Sequence, residues 1–188
     1  MEDKHLIKEC LKGKPEAQKL LYERYAPYML GVSYRYTKNM GDAENILQDA
    51  FVKVFNHLED YDSRGELGAW IRKIVVNTAL TYLKSNKKYS YELVYPDDNL
   101  HLVSDENPEL KMNAKELASL IRQLPTGYQT VFNLYAVEGY SHVEIAGMLG
   151  ISDGTSRSQY ARARSLLIGW IEKYSLKEKG SSYGKQGF

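Results

Sequence analysis

Cysteine is almost absent from this 188-residue chain, and long apolar runs are missing altogether. The lone Cys10 cannot close an internal disulfide, which removes the secreted, disulfide-stapled class of scaffold. No stretch of about 18 apolar residues occurs, and the charged start from Met1 to Lys14 holds no apolar run of signal-peptide length. A soluble, cytoplasmic protein with no direct membrane insertion is therefore expected. The histidines His5, His57, His101 and His142 are far apart, and none has metal-ligand spacing with Cys10 or an acidic pair. There is no phosphate-binding glycine loop and no nucleophile elbow. No catalytic constellation, metal site or cofactor site emerges, so an enzyme is not expected. Excess charge of one sign is missing too. With 25 Lys and Arg against 24 Asp and Glu the net charge is +1, which argues against tight nucleic-acid binding through overall charge alone.

Charge is instead segregated along the chain. Asp42 to Asp62 holds six acidic residues against Lys53, and Arg64 to Lys88 holds six basic residues against Glu66. An acidic block beside a basic one points to two partner surfaces. Leu93 to Leu110 has five acids, no Lys or Arg, two prolines and no helical period, which marks a linker. Arg157 to Lys185 is basic again, seven residues against Glu172 and Glu178. The expected organisation is a first domain over 1–90, an acidic linker over 91–109, a second domain over 110–175 and a disordered tail over 176–188.

Within each domain the apolar spacing is helical, and no alternating strand pattern competes. Ala43, Ile46, Leu47, Ala50, Phe51, Val54, Phe55 and Leu58 form one stripe from about Asp42, leaving Asp42, Asn45, Gln48, Asp49 and Lys53 outside. Leu67, Trp70, Ile71, Ile74, Val75, Thr78 and Tyr82 repeat the pattern to about Lys84, with Arg72, Lys73, Val76, Asn77, Leu80 and Lys84 on the outer face. Ala17, Leu20, Leu21, Tyr25, Tyr28, Val32 and Tyr36 predict a long earlier helix, kinked or broken near Pro27. Leu6, Ile7, Cys10 and Leu11 predict a short leading helix. The fold class is all-α: two small helical domains joined by a flexible acidic linker.

The second domain has finer punctuation. Leu110 to Leu124 predicts one helix, and Pro125 opens another to about Val137 that Gly139 ends. Ser141, His142, Val143, Glu144 fits a capping box for a short helix to Leu149. Gly150, Ile151 and Ser152 then form a turn, with Gly150 suited to the left-handed conformation. From Asp153 the next helix puts Ser156, Tyr160, Ala163 and Leu167 on one face and Arg157, Ser158, Ala161, Arg162 and Ser165 on the others. Such a pair is a helix-turn-helix, whose second helix suits the DNA major groove, although helical hairpins of this spacing also serve structure alone. Arg157 and Arg162 can donate to guanine edges or phosphate.

In the first domain the basic helix face, together with apolar Val76 and Leu80 read as exposed, and a flanking loop from His57 to Glu66, favour single-stranded contact, because unstacked bases need apolar or aromatic platforms. Tyr61 is the freer aromatic there, whereas Trp70 sits on the inner stripe.

The stretch Asp42, Ala43, Glu44, Asn45, Ile46, Leu47, Gln48, Asp49, Ala50, Phe51, with Ala69 to Thr78 downstream, resembles region two of a bacterial RNA polymerase sigma factor of the extracytoplasmic-function group. Leu124, Pro125, Val131, Phe132, Glu138 to Ser141, Glu144 to Ala146 and Gly150 to Ser158 resemble region four. The resemblance implies a promoter-specificity subunit with no catalytic activity and no cofactor, partnered by core RNA polymerase, promoter DNA and an anti-sigma factor. It implies polymerase contacts from Asn45, Gln48 and Asp49. Non-template strand contacts would come from Tyr61, Asp62, Ser63, Arg64, Arg72, Lys73, Asn77 and Lys84, and duplex contacts at the minus-thirty-five element from Thr155, Arg157, Ser158, Gln159 and Arg162. The alternatives are a polymerase-independent helix-turn-helix regulator and a sigma-like decoy that binds an anti-sigma protein.

Overall fold

The computed structural model describes residues 3–85 and 113–183, and among them there is helix and no strand. The chain divides into two compact units, Met1–Tyr89 and Ser90–Phe188. The whole of the expected acidic linker, 91–109, and the end of the tail, 184–188, lie outside the described residues.

Unit 1 is built from α1 (Asp3–Leu11), α2 (Pro15–Tyr34), α3 (Met40–Asn56) and α4 (Leu67–Ser85), with a 3-10 turn at Leu58–Asp60. Pro15 opens α2, where its missing N–H is no loss. Asn39 caps α3, its Oδ1 accepting from the Asp42 N–H at 2.8 Å. The expected α3 stripe is the buried one: Ala43, Ile46, Ala50 and Val54 are fully inside with Leu47 and Phe51. Each of the larger of these side chains, Ile46, Leu47, Phe51 and Val54, contributes about 1.5 to 3 kcal/mol when removed from water. Tyr82 donates to Asp42 Oδ1 at 2.6 Å, tying the end of α4 to the start of α3 and holding the pair antiparallel. Asp3 fastens α1 to α2, accepting from Arg24 at 2.6 Å and from the Tyr25 hydroxyl at 2.9 Å.

Three expectations in this unit are corrected. The helix α2 runs unbroken through Pro27, so the break expected there does not occur. Pro27 and Glu23 are both exposed, so the carbonyl deprived of its partner faces water while Ala26, Met29 and Val32 pack inside. Tyr28, placed on the inner stripe from the sequence, is 55% exposed, and Met29 and Ser33 occupy the interior instead. Val76 and Leu80 are buried rather than exposed on α4, because that helix packs against both α2 and α3 and is covered over a wider arc than one amphipathic stripe implies.

Unit 2 comprises α5 (Ala114–Gln123), α6 (Thr126–Phe132), a π-helical turn at Asn133–Val137, α7 (His142–Leu149) and α8 (Asp153–Tyr183). The first helix begins at Ala114 rather than Leu110, set by an Asn113 and Glu116 capping box that the sequence reading overlooked. Leu124, Tyr128, Ala163 and Leu167 form a core cluster, with Leu120, Ile121, Phe132, Leu166 and Trp170 packed on it. The helix α8 spans Asp153–Tyr183, and Leu, Lys and Glu between Tyr174 and Gly180 are good helix formers.

Candidate nucleic-acid interface

The helix-turn-helix forms as its punctuation requires. Glu144 Oε2 accepts from the Ser141 N–H at 2.8 Å, and the Glu144 N–H donates to Ser141 Oγ at 3.3 Å, closing the capping box. Gly150 is left-handed at φ 71°, and its N–H and that of Ile151 both return to the Ala146 carbonyl. Ser152 caps α8, its Oγ accepting from the Thr155 N–H at 2.9 Å and bonding the Thr155 hydroxyl at 2.8 Å.

This geometry presents Arg157 and Ser158 exposed at the first turns of α8, with Arg162 half-exposed farther along and Arg164 exposed. Arg157 Nε donates to Asp153 Oδ2 at 2.9 Å, an ion pair the sequence reading did not include, and that carboxylate raises the guanidinium pKa further. Ser158 bonds the Thr155 carbonyl at 3.0 Å. Gln159 is turned inward: it is half-buried, its Oε1 lies beside Gly127 of α6, and that oxygen is buried without a hydrogen-bond partner. Two positions along a helix turn a side chain through about 200°, so Gln159 lies on the α6 side of α8 while Arg157 faces outward.

In unit 1 the basic face of α4 is narrower than expected. Lys73, Asn77 and Lys84 are exposed and recur at steps of four and seven, which keeps them on one side. Arg72 is not with them. It is partly buried against α2, donating to the Tyr28 hydroxyl at 2.9 Å with its guanidinium carbon 5.9 Å from that ring's centre.

Beside the exposed face lies a groove of about 360 Å³ lined by Lys53, His57, Trp70, Ile74, Asn77 and Thr78 among others. Lys53 crosses from α3 to donate to Thr78 Oγ1 at 3.1 Å. Of these residues only Asn77 is a contact expected from the sequence; Trp70, Ile74 and Thr78 share the inner stripe of α4, whereas Lys53 and His57 come from α3 and its C-terminal cap, which the period of α4 does not link to them.

The loop after α3 borders this groove, and its residues are held by one another. The Tyr61 hydroxyl donates to the Gly65 carbonyl, and its ring packs 5.6 Å from Trp70. Tyr61 is thus half-buried, not the free aromatic expected, while Trp70 reaches the groove wall. Asp62 accepts from the Arg64 N–H at 3.0 Å and pairs with its Nε at 3.3 Å. Ser63 sits at φ 58°, a left-handed conformation that a non-glycine residue adopts only where its surroundings impose it.

On α3, Asn45, Gln48 and Asp49 are all exposed and share one face with Val52, an apolar residue 59% exposed one turn farther on. The exposed face is thus of mixed polar and apolar character. Among the described residues no helix is long and apolar enough to cross a membrane.

Residues 21–89 match the family described as Sigma-70 region 2, and residues 114–167 match Sigma-70, region 4. The chain is 28% identical over 183 residues to the ECF RNA polymerase sigma-E factor of Haemophilus influenzae, spanning 92% of this chain and 96% of that one. It is 29% identical over 178 residues to the ECF RNA polymerase sigma-E factor of Escherichia coli, spanning 89% and 93%. In fold it is similar to the sigma factor RpoE solved in complex with the anti-sigma factor NepR from Bartonella quintana, with TM-score 0.51 and 17% identity over 82% of this chain and 96% of that one. With both sigma regions matched in order and together spanning well over half of its length, the chain belongs to the extracytoplasmic-function group of RNA polymerase sigma factors, the promoter-specificity subunits that bind core polymerase and direct initiation.

Proposed function

We propose a division of labour among three surfaces. The face of α3 carrying Asn45, Gln48, Asp49 and Val52 docks on core polymerase. The groove between α3, the 3-10 turn and α4, with Lys73, Asn77 and Lys84 beside it, holds the unpaired non-template strand of the minus-ten element. Thr155, Arg157, Ser158 and Arg162 contact the minus-thirty-five duplex.

The observation that carries this reading is the groove itself. A base drawn out of a duplex forfeits a few kcal/mol of stacking, and an apolar wall with polar ends offsets that loss. Trp70 and Ile74 supply the wall; Lys53, His57 and Asn77 supply the polar ends. Tyr61, Asp62, Ser63 and Arg64, braced by their own hydrogen bonds, would meet the strand from the loop whose Tyr61 ring packs on Trp70. Arg72, tied to Tyr28, has a weaker claim to the strand and serves the α2 to α4 contact.

The subunit has no catalytic activity of its own; its work is recognition, and polymerase performs the chemistry. It acts in the cytoplasm and is held in check by an anti-sigma factor, a role supported by the sigma relative solved with such a partner. Because the net charge is only +1, most of the affinity for DNA comes from the assembled complex.

The test is transcription by purified core polymerase from promoter fragments selected from a random library. Initiation that depends on this chain, and weakens when Asn77 or Arg157 is changed to Ala, is the expected result. A tight, specific duplex complex formed by the chain without polymerase would favour an autonomous regulator instead, and absence of any dependent initiation would leave the decoy.

A further inference from the structure

The junction between α7 and α8 contains a buried polar pair that packing alone does not require. His142, the first residue of α7, is 8% exposed, and its Nδ1 lies 2.8 Å from the Oγ of Ser156, which is fully buried on α8. Tyr135 stacks on the imidazole with ring centres 4.3 Å apart and planes within 9°, and Tyr160 approaches at 5.9 Å. Tyr135 is placed there by the π-helical turn, where the Glu138 N–H reaches back to the Asn133 carbonyl. Such turns displace one residue out of helical register, and they concentrate at functional positions.

Two apolar side chains of similar shape would hold α7 against α8 about as well, because replacing both partners of a buried hydrogen bond is close to neutral in stability. They would not hold it in one rotation. A hydrogen bond is directional, and a buried one left unmade is penalised, so it selects a single arrangement. Rotation matters at this point in the chain. Ser156 immediately precedes Arg157 and Ser158, and a turn of about 20° would move side-chain tips about 5 to 6 Å from the helix axis through about 2 Å, enough to lose a base-edge bond.

We propose that the His142 and Ser156 pair is a register lock for the reading helix, making His142 a positioning residue for discrimination at the minus-thirty-five element. The inference rests on the reading of α8 as the duplex-contacting helix. The stack with Tyr135 aims the imidazole edge at Ser156, and the bond to Ser156 fixes the angle at which Arg157 and Ser158 leave α8. The lock touches no base itself, and it works through those two residues.

The experiment uses the full chain with core polymerase on a promoter selected from a random library and on versions with single substitutions upstream. The ratio of initiation between them is measured beside thermal stability and core binding. His142→Leu with Ser156→Ala is expected to keep stability and core binding while the ratio falls about tenfold, the scale of one lost bidentate base contact. His142→Asn, which can still bond near the Nδ1 position, is expected to retain more discrimination than the apolar pair. Unchanged stability with an unchanged ratio would overturn the proposal. Where the double variant does not fold, Ser156→Ala alone, which deletes only a hydroxyl and is expected to lower thermal stability modestly by leaving the imidazole unpaired, carries the same expectation for the ratio and the same refutation. Arg157→Ala separates the two levels: if it leaves the ratio unaltered, the assignment of α8 fails, and if it lowers the ratio while the apolar pair does not, only the lock fails.

Discussion

Arg157 is bound to Asp153 one turn earlier on the same helix, Nε to Oδ2 at 2.9 Å, so the guanidinium best placed to meet DNA already carries a carboxylate. The pair is exposed, and in water such a bond adds little stability. Its consequence is for binding. Asp153 orients Arg157 and also competes with phosphate for it.

Asp153→Asn is therefore expected to raise sequence-independent duplex affinity of the holoenzyme and to steepen its salt dependence by up to about one unit of slope, the effect of one more available cation. Arg157→Ala is expected to lower specific recognition by about 1 to 3 kcal/mol. Duplex binding across a salt series checks both. A shallower slope for Asp153→Asn would show that the carboxylate presents the arginine rather than masking it.

Arg162→Ala and Asp49→Lys should separate the two partner surfaces. The first is expected to weaken upstream-element recognition and leave core binding alone; the second reverses the charge on the exposed α3 face and is expected to weaken core binding chiefly. Core pull-down and promoter binding, measured for each variant, decide it. Equal loss of both activities in each would mean the surfaces are wrongly assigned.

The groove makes a third prediction. Asn77→Ala, exposed on α4 and on the groove wall, is expected to reduce binding of a single-stranded minus-ten oligonucleotide by the holoenzyme while leaving folding intact. Ile74→Ala should reduce it as well if a base rests on that wall, by less than loss of an aromatic platform would. Competition between oligonucleotides with and without an unpaired base measures the effect.

Stability tests the turn. Gly150 is left-handed at φ 71°, so Gly150→Ala is expected to destabilise unit 2 by about 1 to 2 kcal/mol. Ser141→Ala, which removes one half of the capping box, should destabilise it by about 1 kcal/mol. Thermal or urea unfolding of the full chain, followed by probes in each unit, should show both losses confined to unit 2.

The two units should also fail at different acidities. Burial, then the positive charge of Arg157, holds the His142 imidazole below its ordinary value of 6.5, with Asp153 opposing. A base with a depressed folded pKa supports the fold fully above its unfolded value, and that support is lost as pH falls below about 6.5. Hydrogen bonds from Lys12 and then Lys14 pull the Glu9 carboxyl from 4.5 down to about 2. Its contribution to unit 1 stands above pH 4.5 and disappears between there and about 2. Hydrogen exchange along an acid titration should therefore show unit 2 loosening first, and His142→Asn should remove that early step.

The sequence by itself determined the helices, their caps and their family. Each is written in local chemistry: the 3.6 period of the α3 stripe, the Ser141 and Glu144 box, and the glycine at 150. What only the tertiary structure decided is how much of each helix is covered and which side chains from different elements meet. Val76, Leu80 and Arg72 sit where a helical wheel puts an outer face, but α2 lies over them as well as α3. Gln159 is half-buried because α6 lies beside it. The groove draws on α3, the 3-10 turn and α4, and the His142 and Ser156 pair joins residues 14 apart through a turn of π-helix. Period and capping are properties of a few neighbouring residues, whereas coverage and convergence depend on where other helices lie, and one helix's sequence does not encode that.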